Sequence, residues 1–187
     1  MNSRKIAIIA TLSALSTATN YAMVSLYNVK FMDLFAFVSG FCFGPVVGAL
    51  TGIFSWSVYG PINPFGFSLP IWVSTMFSES LYGIVGSFAR KNLGFHGASD
   101  FRTDRVNLCI LFGTLGVLLT FVYDLITNII FGSLNNWNIV YAIVIGFVPF
   151  GLLHVLSNAL FFGVGCMPTI AAVMKVAGGE GTGISKE

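Results

Sequence analysis

The chain has 187 residues, of which 56% are hydrophobic and 9% charged, with a formal net charge of +2. Soluble domains carry about 25% charged residues, so this composition cannot cover a water-facing surface and excludes an ordinary soluble protein. The small net charge gives no footing for nucleic acid. The three cysteines, Cys42, Cys109 and Cys166, lie far apart in apolar stretches with no metal-ligand spacing.

An all-α integral membrane protein is therefore expected, and a span needs about 20 apolar residues. The first candidate is 5–24. Its basic start and apolar core have the form of a signal peptide, but the apolar stretch is long and no clear cleavage site ends it, so a retained first helix is expected. It carries Ala10, Ala14 and Ala18 in an AxxxAxxxA ladder. Residues four apart share a helix face, and small residues let a second backbone approach closely in lipid. Taken alone, such a ladder is better accounted for by packing within the chain, since small residues are common in membrane helices.

The stretch 31–59 is too long for one span and short for two. "FGPVVG" (43–48) cuts it near the middle, and a Gly-Pro pair is a natural turn. Further spans are expected at 68–89, 106–131 and 139–163. Charge decides how 31–59 is divided, because cytoplasmic loops collect Lys and Arg. With two short helices there, Arg4, Lys5, Arg90, Lys91, Arg102, Arg105, Lys175 and Lys186 all fall on one side, and only Lys30 falls on the other. The expectation is six transmembrane helices, helices 2 and 3 short, both termini cytoplasmic. Residues 1–176 form one membrane domain, and 177–187 a disordered Gly-rich tail. The outer connections are "SLYNVK", "GPINPFGFSLP" and "GSLNNWN".

Ionisable groups at membrane depth cost ~2.5–3.5 kcal/mol or more at the centre and mark candidate sites. Glu79 lies near the middle of the fourth helix and Asp124 in the outer half of the fifth, with Asn128 one turn further out. His154 and Asn158 lie four apart on the sixth. Lys30 and Asp33 read as a structural pair, and His154 is placed to satisfy Glu79. Trp72, Thr75 and Tyr82 lie on or near the Glu79 face, Tyr123 adjoins Asp124, and Trp56 and Tyr59 end the third helix. Aromatics near a boundary usually anchor it; together these also suit stacking on a flat heterocycle. For Glu79 and Asp124, ligand binding and a protonated, hydrogen-bonded structural role both stay open. No Walker A sequence, catalytic metal spacing or nucleophile elbow is present, so neither an enzyme nor a cofactor is expected.

Together these residues resemble the substrate-binding S component of energy-coupling factor (ECF) transporters. The resemblance rests on the ladder Ala10–Ala14–Ala18, the segment "FCFGPVVGALTGIFSWSVYGPINPFG" (41–66) and "YDLITN". It implies a multi-pass plasma-membrane ABC-type importer subunit. Such a subunit captures a water-soluble vitamin or precursor outside and docks on a transmembrane coupling protein with two ATPases. It implies that the alanine face meets the coupling protein. It also implies an outer pocket lined by helices 4, 5 and 6, including Glu79, Asp124, Asn128, His154 and Asn158, with Asn28 and Lys30 in the lid loop. Carboxylates, amides and aromatics there suit a neutral or cationic nitrogen heterocycle, thiamine-, riboflavin- or cobalamin-like, over an anion. A stand-alone proton-coupled carrier and a structural subunit of a larger membrane complex are the competing readings.

Overall fold

A computed structural model describes residues 1–64, 66–95 and 104–177. Its elements are α1 (Ser3–Ala22), α2 (Met32–Phe43), α3 (Pro45–Ile62), α4 (Leu69–Leu93) and α5 (Arg105–Leu134). A last, kinked helical run, α6, covers Ile139–Ala177.

The Asn2 side chain caps α1 by accepting from the Lys5 N–H at 3.0 Å, satisfying one of the free donors of a helix start. The buried residues Ile9, Leu12, Ser13, Ser16 and Asn20 follow helical spacing and face α3, where the Ser13 hydroxyl donates to the Thr51 carbonyl at 3.1 Å. Ala10, Ala14 and Ala18 are on the exposed face.

The break expected inside 31–59 falls at Gly44. Its φ of 97° lies where an L side chain is strained. Pro45 then opens α3, where a missing N–H costs nothing. α3 runs to Ile62, so Trp56 and Tyr59 lie inside its last turns rather than ending it. α2, α3 and α4 meet backbone to backbone: a Cβ on Gly40 would strike the Gly83 carbonyl, and one on Gly48 the backbones of Gly40 and Gly83.

Four stretches read as comfortable spans from sequence; among the described residues, α5 and α6 are the two helices both long and apolar enough, with mean hydropathies of 2.1 and 2.3. α1 and α4 have the length, yet their inner faces carry Ser13, Ser16, Asn20, Ser74, Thr75, Ser78, Glu79 and Ser80, which lowers their apolarity. α5 and α6 turn most of their apolar surface outward: Val106 is 70% exposed and Val164 65%. Contiguous exposed apolar surface of this kind belongs against lipid or a partner.

α6 extends well past the expected end at 163. Its regular helix is interrupted by wider π-type turns at Phe147–Gly151 and Phe161–Gly165. At Val148 the backbone leaves helical geometry (φ −115°, ψ 115°), next to Pro149, which has no N–H to donate. The segment between the two interruptions, Leu152–Leu160, carries His154 and Asn158.

An aromatic core fills the half of the bundle near the α2–α3 turn. Phe37 packs edge-on to Phe112 and Phe162, with ring centroids 6.0 and 5.1 Å away, and Cys42, Cys166 and Ile170 close the cluster. At the same end Arg90 donates to the carbonyls of Phe41 and Cys42 at 3.2 and 3.0 Å, satisfying the free end of α2. The Arg4 guanidinium donates to the Ala177 carbonyl, so the start of α1 and the end of α6 lie together. Arg90 and Lys91 occupy the last turn of α4 and Arg105 opens α5, so they lie on helices rather than in the expected central loop. Asp100, Arg102 and the tail 178–187 lie outside the described residues.

Candidate ligand-binding site

Two arrangements occupy the other half of the bundle: a buried polar network and, beside it, an open cavity.

The network centres on His154, which is fully buried. Its Nε2 lies 2.6 Å from Asp33 Oδ2 and its Nδ1 2.9 Å from Asp124 Oδ1. Only a ring carrying a proton on each nitrogen donates to both carboxylates. The Asn158 amide, one turn further along, donates to Asp33 Oδ2 and to Thr120 Oγ1, the latter at 2.7 Å. The Tyr82 hydroxyl donates to the same Thr120 oxygen at 2.9 Å. Tyr123 sets its ring edge-on to His154, centroids 5.5 Å apart. Side chains from α2, α4, α5 and α6 thus close on one another, each carrying at least one polar atom with a partner, while Asp33 Oδ1, Asp124 Oδ2 and Asn158 Oδ1 are buried without one among the described residues.

The structure corrects one expected pairing. His154 does not reach Glu79; it joins Asp33 to Asp124. The physical reason is position along α6: with the kink at Val148, His154 comes level with the start of α2 and the C-terminal half of α5. Glu79, fully buried, instead takes the Trp56 indole N–H on Oε2 at 3.1 Å, and its carboxyl faces that of Asp33. Asp33, read from sequence only as a partner for Lys30, is the hub. The Lys30–Asp33 pair exists but is loose, with Nζ 3.9 Å from Oδ1. The spacing Lys30/Asp33 at the head of an apolar helix was the available signal; Thr120, a common residue in such helices, offered none.

The cavity lies under the loop from Met23 to Phe31 and holds about 370 Å³. Its walls are the end of α1 (Asn20), the loop (Tyr27, Asn28, Lys30), the end of α3 (Trp56, Tyr59), the α3–α4 connection (Phe67) and the start of α4 (Trp72, Thr75), with Phe150 from the kink of α6. The loop is strapped to α6: the Asn28 amide donates to the Phe150 carbonyl at 3.0 Å, and Tyr27 packs on the Phe150 ring at 5.5 Å. Asn28 has φ 55°, a left-handed turn that asparagine tolerates. The Trp72 indole donates to the Trp56 carbonyl at 2.8 Å, which fixes the two rings relative to each other. Lys30 is the only charged side chain on the wall among the described residues.

Of the expected site residues, Asn28, Lys30 and Trp72 line this cavity. Glu79, Asp124, His154, Asn158, Tyr82 and Tyr123 are packed in or against the network beneath it. Asn128 stands apart, half-buried, with its amide against Gly146. The cavity therefore draws on α1, α3 and α4 where α4, α5 and α6 were expected, because the Asp33–His154–Asp124 chain draws α5 and α6 shut against α2. A second, apolar groove of about 800 Å³ runs outside the bundle between α1 and α3, along Ala10, Ala14 and Ala18 with Ile6, Phe54 and Val58.

Among the described residues, the outer faces of α5 and α6 are apolar and a cavity lies at one end of the bundle. The chain belongs to the family of ECF transporter, substrate-specific components, which it matches over residues 4–164. It is thus a membrane-borne transporter subunit. No curated protein and no solved structure matches it.

Proposed function

We propose that the chain captures a water-soluble vitamin or precursor, a nitrogen heterocycle, in the cavity under the Met23–Phe31 loop on the outer side of the plasma membrane. A transmembrane coupling protein and two ATPases, docked on the α1 groove, then drive its delivery inward. The observation that carries this reading is the cavity itself: it is roofed by a strapped loop and walled by Tyr27, Trp56, Tyr59, Phe67 and Trp72. Aromatic faces of this density stack on flat rings. Ligand pockets run from about 300 to 1,000 Å³; a cavity of about 370 Å³ suits a compound of one to three fused rings and is too small for a cobalamin-like macrocycle.

Six spans with both ends cytoplasmic are part of the proposal. The tie between Arg4 and Ala177 supports ends on one side. The position of Arg90, Lys91 and Lys175 at that same end supports its facing the cytoplasm. Ala10, Ala14 and Ala18 form the floor of an apolar groove, as close helix docking requires. The reading is one of binding and delivery rather than catalysis. Mass spectrometry of small molecules that co-purify with the detergent-solubilised protein tests it: an aromatic nitrogen heterocycle is expected, released by Trp72→Ala. A preparation that carries none and binds none from a vitamin panel would sink the idea.

One observation favours a second reading. The Asp33–His154–Asp124 array is a chain along which a proton can pass, as in a stand-alone proton-coupled carrier. That reading requires uptake without any ATPase, lost when the proton gradient is collapsed.

A further inference from the structure

Lys30 occupies a strange seat. Its side chain is buried although its loop is at the mouth of the bundle, where a lysine would ordinarily reach for water. The ammonium has no hydrogen bond among the described residues. It lies over the ring of Tyr123 at 4.3 Å and that of Trp56 at 5.2 Å, and 3.9 Å from Asp33 Oδ1. A compact, strongly hydrated ammonium with three donors is poorly matched to two ring faces and one long carboxylate contact. Such a box fits a larger, weakly hydrated cation better. Directly beneath, Asp33 Oδ1 and Glu79 Oε1 are fully buried and have no hydrogen-bond partner. Facing carboxyl groups share a proton or hold a cation, and Lys30, 3.9 Å from Asp33 Oδ1, is the cation at the edge of this pair. Among the described residues, Lys30 and His154 are the positive groups that face Asp33, Glu79 and Asp124, so withdrawal of Lys30 is opposed until a proton or another cation takes its place.

Lys30 is also the part of this arrangement best able to leave. It belongs to the loop whose holds on α6 are the Asn28–Phe150 bond, the Tyr27–Phe150 contact and the Phe31–Phe161 stack at 4.2 Å. It separates the open cavity from the carboxylates. We propose that Lys30 is a tethered stand-in for the cargo, and that the cargo is a flat organic cation. The cation's charged ring displaces the ammonium from between Trp56 and Tyr123 and settles on Asp33 and Glu79, freeing the loop. This rests on the substrate-capture reading above and names the charge of the substrate.

The test compares three probes of similar shape, 1-methylquinolinium (cation), 1-methylnaphthalene (uncharged) and 1-naphthoate (anion), by quenching of tryptophan fluorescence in the full detergent-solubilised chain. Lys30→Met is expected to bind 1-methylquinolinium at least tenfold more tightly than the parent protein, with no comparable gain for the other two. Equal or weaker binding of the cation by the variant overturns the proposal. So does 1-naphthoate binding that is present in the parent and lost in the variant, which would make Lys30 an anion ligand. A second measurement needs no substitution: amine-reactive labelling of the parent protein, read by mass spectrometry with Lys91 and Lys175 as references. 1-Methylquinolinium is expected to raise Lys30 labelling several-fold; unchanged or reduced labelling overturns the proposal. Neither failure touches substrate capture itself, which the co-purified molecule decides whatever its charge.

Discussion

The imidazole of His154 stands 2.6 Å from Asp33 and, through its other nitrogen, 2.9 Å from Asp124, so one ring on α6 joins the head of α2 to the C-terminal half of α5. Removing it leaves two buried carboxylates without their shared partner. Breaking a buried pair from one side costs about 3–5 kcal/mol. His154→Ala is therefore expected to unfold well below the parent protein in a thermal scan in detergent. A melting temperature within a degree or two of the parent would show that the array contributes little to the fold.

Asp124→Asn separates structure from binding. The amide oxygen still accepts from His154, so the loss of stability is expected to be small, about 1 kcal/mol. If Asp124 serves cargo as well as His154, affinity for the co-purified molecule falls, read by equilibrium dialysis. Unchanged affinity assigns Asp124 to the architecture alone.

Ala14→Trp adds bulk on the floor of the α1–α3 groove, on the exposed face of α1. Binding by the isolated protein is expected to stay near the parental value, while ATP-driven uptake in vesicles with the coupling protein and ATPases is lost. A variant that loses both together would place Ala14 in the bundle's own packing.

Trp72→Ala removes one wall of the cavity and the indole that anchors on the Trp56 carbonyl. An aromatic contact is worth about 0.5–1.5 kcal/mol beyond its buried area, so a loss of roughly tenfold in affinity is expected, measured by competition against the co-purified molecule. Retained affinity would move the binding site elsewhere.

Gly48→Leu places a side chain where the backbones of Gly40 and Gly83 already sit. Overpacking of this kind costs about 1–3 kcal/mol or more, and here the obstacle is backbone, which cannot rotate aside. Expression of monodisperse protein is expected to fail. Gly44→Ala meets no atoms within 4 Å and is expected to introduce only the backbone strain of an L residue at that φ, about 1–3 kcal/mol, read as a lowered melting temperature.

Part of the architecture was legible in the residues. The Gly44–Pro45 break and the tie between Lys30 and Asp33 follow from local chemistry acting over a few positions, whereas the alanine ladder by itself did not say that it faces away from the bundle. The partners of His154 were not legible, because they depend on the bend at Val148–Pro149, which sets how far along α6 the imidazole faces α2. The cavity wall was legible in part: Asn28, Lys30 and Trp72 were expected at the pocket, and Trp56 and Tyr59 were read both as boundary aromatics and as rings for stacking, but the pocket was expected among helices 4, 5 and 6, so the share of α1 and α3 was not seen. Thr120 carried no mark at all; its role as a shared acceptor for Tyr82 and Asn158 exists only once three helices have met.

The glycine contact among α2, α3 and α4 has a mechanical consequence. Where backbones touch, there is no cushion of side chains to slide or compress, so these three helices travel together as one wedge. In the proposed capture of a guest, the movement is therefore expected in the loop ahead of α2 and in the bent α6, a hinged shutter against a fixed anvil.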